Sequence, residues 1–237
     1  MNRMMRSRPE APILKALLAA ALVLLCALAR PASAADMQFR LIPFGDPAQC
    51  GDDCMQVIGA EGEIKPDTPR KFLKFVADNM DDPRVRSIVF LHSPGGGVEA
   101  AMRLGRAFRK TGVLAVVARI APAEPGQGPA VNLPGARCFS ACVYAFIGAK
   151  KRVVPPSSLL GIHRMFFYDD ADAAAGGRSG GKRTYGTPQF VERLAAYAHS
   201  MGVSKELIYK AEKIDPDHVH IVTPKELRRW RLGDESY

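Results

Sequence analysis

Val85-Arg86-Ser87-Ile88-Val89-Phe90-Leu91-His92-Ser93-Pro94-Gly95-Gly96-Gly97 decides how this chain folds. Residues 85–91 form a β-branched and aliphatic run of strand length, and Ser93-Pro94-Gly95-Gly96-Gly97 stops it with a turn. Residues 98–108 then place Val98, Ala101, Met102 and Gly105 on one side of a helix. A strand, a glycine turn and a helix in that order form the repeating unit of a layered α/β domain.

The same alternation extends outward. Residues 113–120 give the next strand. Upstream, residues 55–58 are a short apolar run ended by Gly59. Thr68-Pro69, a cap residue before a first-turn proline, opens a helix with Phe72, Leu73, Val76 and Met80 on its apolar face. Downstream, residues 121–136 are a Pro/Gly-rich loop, and residues 139–147 are apolar without alternation, which predicts a buried helix ended by Gly148. Residues 152–154 and 159–162 read as short strands around a Pro-Pro-Ser-Ser turn. Residues 169–186 are Gly-rich and read as a mobile loop. Thr187-Pro188 opens a helix carrying Phe190, Val191, Leu194, Tyr197 and Met201 inward as far as Gly202, residues 203–213 form another, and Thr223-Pro224-Lys225-Glu226 is a capping box. No internal repeat is present.

The chain has 237 residues, 47% hydrophobic and 24% charged, with a formal charge of +9. Those fractions fit a globular domain and exclude a disordered, collagen-like or multi-span membrane chain. Much of the charge excess lies in residues 1–34, where Arg3, Arg6, Arg8 and Lys15 lead into an apolar stretch and Ala32-Ser33-Ala34 follows it. That is the order of a secretory signal peptide. Residues 13–29 are also near the lower limit for spanning a bilayer, so a retained membrane anchor is the alternative. Setting residues 1–34 aside removes five basic residues and one acidic one, leaving 203 residues (35–237) with a charge of +5. No stripe of interleaved basic and aromatic residues remains to bind nucleic acid.

Four cysteines fall in the remaining chain, as Cys50-x3-Cys54 and Cys138-x3-Cys142. Export favours disulfides over a four-thiolate zinc site. Cys50 and Cys54 lie in a Gly/Asp loop that lets them bridge. Cys138 and Cys142 can pair only if Cys138 stands outside the helix that holds Cys142. The spacing leaves the connectivity open.

Three features follow in the order a serine hydrolase needs. The glycines of Ser93–Gly97, at a strand end and a helix start, allow backbone N–H groups to face a developing negative charge. Ser140, between Cys138 and Cys142 at the head of an apolar helix, is either a helix cap or a nucleophile, with the Ala141 N–H beside it. His163, after Gly161-Ile162, is either structural or the base for the serine hydroxyl.

Taken together, Val89-Phe90-Leu91-His92-Ser93-Pro94-Gly95-Gly96, the helix from Ser140, Gly148-Ala149-Lys150-Lys151-Arg152, Ile162-His163 and residues 223–232 resemble the proteolytic subunit of the Clp protease. The resemblance extends to its relatives in the Clp protease/crotonase superfamily, including signal peptide peptidase A. It implies a single α/β domain of stacked ββα units over residues 35–237, after the signal peptide. It further implies Ser140 as nucleophile, His163 as general base, the N–H groups of Gly96 and Ala141 as oxyanion hole, and an Asp before the last helix as third residue. Asp217 is the candidate when the match runs back from Thr223, and Asp215 when it runs on from the preceding helix.

Lys150 and Lys151 raise a Ser-Lys alternative, which the histidine makes unnecessary. His218 and His220 lack the carboxylate or thiolate neighbours of a metal site, so no metal and no cofactor is expected. Residues 176–182 approach a phosphate-binding G-x4-G-K, but Arg183 stands where Ser or Thr is required, so no nucleotide is expected either. The expected protein is therefore an exported serine peptidase or acyl hydrolase, periplasmic or secreted, with a peptide or protein substrate. A membrane-anchored form, a homo-oligomer, and a catalytically silent scaffold that keeps the same fold are the alternatives left open.

Overall fold

Five strands build the main sheet in the computed structural model, which describes residues 35–119, 135–168 and 183–234. They are β1 (Gln38–Phe44), β2 (Met55–Glu61), β3 (Val85–His92), β4 (Leu114–Val116) and, after the short strand β5 (Arg137–Phe139), β6 (Lys151–Val153). The order is β1-β2-β3-β4-β6. Only β1 runs antiparallel to its neighbour; the other pairs are parallel. Parallel neighbours need crossovers, and α1 (Thr68–Asn79) and α2 (Val98–Thr111) provide the first two. The expected α/β alternation is therefore the observed one.

A second sheet stands beside the end of β3. It has the order β10-β7-β5, with β7 at Leu159–Ile162 and β10 at His220–Ile221. A hairpin of β8 (Phe166–Tyr168) and β9 (Arg183–Tyr185) follows β7. The helices α3 (Cys142–Gly148), α4 (Pro188–Ser200), α5 (Glu206–Ala211) and α6 (Pro224–Arg229) follow, and a short helical turn at Pro47–Cys50 with a 3-10 turn at Gly51–Asp53 joins β1 to β2.

The core lies between the main sheet and its helices. Phe72 of α1 and Phe108 of α2 are fully buried and meet edge to face at 4.8 Å. Each contributes about 2–3 kcal/mol through removal from water. Ile42, Val57, Phe90, Val116, Ala118 and Val153 form a smaller cluster of their own. The helices α2 and α3 approach at two glycines: a Cβ on Gly148 would overlap the Gly105 carbonyl oxygen. Close by, the Tyr197 hydroxyl of α4 donates to the Tyr144 carbonyl oxygen of α3 at 2.7 Å.

Several boundaries differ from the sequence reading. Strand β1 was not foreseen; Pro43 and a half-exposed pattern obscure it, and it lies at a sheet edge, where proline is tolerated. Thr68 is not a helix cap. Its hydroxyl accepts from the Lys65 N–H at 2.9 Å and it begins α1 itself. Leu73, expected inward, is 43% exposed, because the buried face of α1 runs through Thr68, Phe72 and Val76 instead. Thr187 and Thr223 cap their helices as expected, the latter with a full capping box. The expectations for residues 1–34 and for the G-x4-G-K-like run at 176–182 lie outside the described residues, as does most of the 121–136 loop. No helix among the described residues is long and apolar enough to cross a membrane.

Candidate active site

The end of β3 sets the site. Ser93 is fully buried; its N–H donates to the Arg137 carbonyl oxygen at 2.8 Å and its carbonyl oxygen accepts from the Phe139 N–H at 3.1 Å. Its hydroxyl accepts from the Gly95 N–H at 3.1 Å. These bonds fasten β5 alongside the glycine turn. Gly95 and Gly96 have φ of +116° and +129°, a backbone region open essentially to glycine. The turn is also fixed from the other side: Ile64 N–H donates to the Gly95 oxygen at 2.8 Å, and Gly97 N–H to the Ile64 oxygen at 2.9 Å.

Ser140 follows β5 directly. It does not cap the helix: α3 begins two residues later, and Ser140 occupies the intervening turn with φ of +57°. A non-glycine residue held there is uncommon and strained, a state found preferentially at functional positions. Two backbone bonds hold it, from Ser140 N–H to the Gly161 oxygen at 2.9 Å and from Val143 N–H to the Ser140 oxygen at 3.1 Å. The disulfide of Cys138 and Cys142 spans the same turn, with Cα atoms 5.2 Å apart. Cys138 lies in β5 and Cys142 opens α3, so the geometric condition for their pairing is met. Cys50 and Cys54 form the second disulfide.

Pairing of β5 with β7 brings the histidine to the serine. Phe139 is registered with Gly161, so the residues after each strand, Ser140 on one and His163 on the other, emerge at the same end. His163 is only 8% exposed. Its Nδ1 lies 2.8 Å from the Arg164 carbonyl oxygen. A carbonyl can only accept, so Nδ1 carries a proton, and in the neutral ring that leaves the lone pair on Nε2, the tautomer a general base requires.

Ser140, His163 and Gly96 line one cleft of about 780 Å³, together with Glu63, Glu99, Arg103, Met165, Phe166 and Phe167. Beneath it, Val143, Tyr144, Ile162, Met165, Leu207, Ile208 and Ala211 surround a tight apolar recess that both Ser140 and His163 also border. Among the described residues the Gly96 and Ala141 N–H groups have no acceptor, and the Ser140 hydroxyl makes no hydrogen bond to His163.

Neither candidate aspartate hydrogen-bonds His163. Asp217 is 66% exposed, and its Oδ1 pairs with Arg183 Nη1 of β9 at 2.7 Å. Asp215, 63% exposed, accepts from the Asp217 N–H at 2.8 Å. His220 bonds both oxygens of Glu226 at 2.9 Å, away from the cleft. No group of three or more His, Cys, Asp or Glu suited to a metal occurs among the described residues. Sequence reasoning missed one acidic group: Glu212, just after α5. Its carboxylate accepts the Met165 N–H and is close enough to His163 to interact with it electrostatically. No motif in the sequence around Glu212 marks it.

No protein-family model matches the chain, and no curated protein matches it. Several solved structures are similar. A serine-to-alanine mutant of the 1510-N membrane-bound stomatin-specific protease aligns at 20% identity and TM-score 0.47, over 73% of each chain. A lysine-to-alanine mutant of the same protease with a substrate peptide aligns at 20% identity and TM-score 0.47, over 73% of this chain and 69% of that one. A point mutant of ClpP1 from Listeria monocytogenes aligns at 18% identity and TM-score 0.44, over 74% of this chain and 86% of that one.

Proposed function

We propose that this chain is a serine-type acyl hydrolase, most simply a peptidase, exported through residues 1–34 and acting through residues 35–237. The observation that carries the reading is the meeting of Ser140, in its left-handed turn, with the buried His163 at one cleft that Gly96 also lines. In this reading Ser140 Oγ attacks an acyl carbon and passes its proton to His163 Nε2. The oxyanion that forms accepts from the N–H groups of Gly96 and Ala141. The imidazolium then protonates the leaving amine or alcohol, the carbon–heteroatom bond breaks, and water repeats the sequence in reverse to free the acid.

Asp217 is the third residue that the sequence resemblance assigns, with Asp215 the alternative. For Asp217 to reach the imidazole it must leave Arg183. That ion pair is also the observation that favours the second reading, a silent scaffold that keeps the fold.

A fluorophosphonate probe decides between them. Wild type is expected to label, and Ser140→Ala and His163→Ala to fall by about 10⁴ in rate. Equal labelling of wild type and Ser140→Ala removes the nucleophile assignment.

A further inference from the structure

We propose that Glu212 is a positioning residue for His163, holding the imidazole in orientation and placing negative charge beside it. The inference rests on the Ser140–His163 reading above.

Glu212 is attached to the chain segment that carries the base. Its carboxylate accepts the Met165 N–H. Its Oε2 lies 3.5 Å from Arg164 Nε. Two residues on, the Ile214 carbonyl oxygen accepts the Arg164 N–H at 2.9 Å. Residues 212–214 therefore grip the two residues after His163, and Arg164 is the residue whose carbonyl receives the His163 Nδ1 proton. Moving Glu212 moves that carbonyl and so rotates the ring.

Of the carboxylates near the cleft that pair with Arg or Lys, Glu212 has the longest ion pair. Glu99 is paired with Arg193 at 2.8 Å, Glu63 with Lys65 at 2.8 Å and Asp217 with Arg183 at 2.7 Å. Arg164, by contrast, makes only the 3.5 Å contact with Glu212, its Nε has no hydrogen-bond partner, and its guanidinium lies 4.0 Å over the Tyr185 ring. Glu212 has a side chain 15% exposed, against 66% for Asp217 and 63% for Asp215. At that burial its field is less screened than theirs. Burial raises the Glu212 pKa, opposed by the Met165 N–H, Arg164 and His163. Burial first and this carboxylate second push the Tyr144 hydroxyl up as well. A carboxylate kept at such a position against its own desolvation is characteristic of functional sites.

The charged groups around His163 are Glu212, Arg164, the cleft residues Glu63, Glu99 and Arg103, and the Arg183–Asp217 pair. Glu212→Gln keeps an acceptor for Met165 but removes the charge, leaving Arg164 to disfavour the imidazolium. The experiment follows the His163 imidazole by nitrogen NMR on the full chain and the fluorophosphonate labelling rate across pH. In Glu212→Gln the His163 titration midpoint is expected to fall below that of wild type, and the acid limb of the labelling profile to move with it. Glu212→Asp falls between the two and serves if Gln prevents folding, while Glu206→Gln, which removes a carboxylate paired with Arg229 outside the cleft, leaves the midpoint in place. A Glu212→Gln midpoint that coincides with wild type, or a Glu206→Gln midpoint that moves as far, overturns the proposal. The NMR titration needs no active serine, so failure of Ser140→Ala to abolish labelling overturns the parent reading alone.

Discussion

Cys138 and Cys142 are bonded to each other across Ser140, so that a strand end and a helix start are joined over the residue with the left-handed backbone. Closing so short a loop restricts the unfolded chain modestly, on the order of 2 kcal/mol. Its local consequence is larger, since it fixes where the hydroxyl stands. The double variant Cys138→Ala/Cys142→Ala is expected to lose roughly 4–8 °C in Tm and more than tenfold in fluorophosphonate labelling. Cys50→Ala/Cys54→Ala is expected to lose stability and keep its labelling. Equal labelling by both double variants would show that the first disulfide has no bearing on the site.

Gly96 is the second point of control. A Cβ there would overlap the Ile64 carbonyl oxygen, and its φ of +129° is unfavourable for any side chain. Gly96→Ala is therefore expected to turn the peptide away and lower the labelling rate by about 10²–10³, the usual cost of an oxyanion donor. Folding is to be checked by circular dichroism, and a folded Gly96→Ala with wild-type labelling would exclude its N–H from the oxyanion hole.

What the sequence made legible follows from locality. Strand β3, the glycine turn and α2 are set by neighbours within a few residues, and all three formed where the pattern put them. Ser140 and His163 are far apart in sequence but follow two strands that pair in parallel, so their meeting could be inferred only from a resemblance, not from composition. The start of α3 lies later than residue 139 because Phe139 is apolar enough to pass for helix, while the strand it ends is specified by Ser93 and β7, contacts no local window contains. Glu212 was missed for the same reason: its role depends on Met165 and Arg164, nearly fifty residues earlier in the chain.

The contact of α2 with α3 tests the packing under the site. Tyr197 and Tyr144 bracket the glycine crossing, and a methyl on Gly148 has only Gly105 backbone to displace. Gly148→Ala is expected to destabilise by about 1–3 kcal/mol through overpacking. Denaturant unfolding measures it. Gly112→Ala, where a Cβ meets nothing within 4 Å, tests the cost of a positive φ of +74° alone. A smaller loss for Gly148→Ala than for Gly112→Ala would mean the helices separate easily.

Acid stability has a specific contributor near the Cys50–Cys54 disulfide. Arg84 hydrogen-bonds both oxygens of Asp82 and reaches the Asp52 carbonyl oxygen at 2.7 Å. The Arg84 side chain, then its N–H, lower the Asp82 pKa from 3.8 to about 2. A depressed carboxylate stabilises the fold above the unfolded pKa, and that stabilisation is lost as pH falls from about 4 towards 2. Because the pair is exposed, its share is small and salt-sensitive. Asp82→Asn is expected to flatten the fall of Tm between pH 4 and pH 2 and to lower Tm slightly at pH 7. An unchanged acid slope would reassign that stability elsewhere.

Substrate choice is tested at the recess below Ser140. Its walls are Val143, Tyr144, Ile162, Met165, Leu207, Ile208 and Ala211, and its free volume is about 10 Å³, near the minimum that holds one water. A charged side chain entering it would lose its hydration with no partner in reach, and a long apolar one must push Leu207 and Ile208 of α5 outward. A substrate with alanine at the acyl position is therefore expected to be cleaved faster than one with leucine, and both much faster than one with aspartate or lysine. One methylene in an apolar pocket changes kcat/KM by about 10–200-fold. Ile208→Ala opens the recess and is expected to reverse the alanine-to-leucine order while leaving Ser140 and His163 untouched. If Ile208→Ala leaves that order as in wild type, the substrate side chain lies in the open cleft beside Phe166 and Phe167 instead.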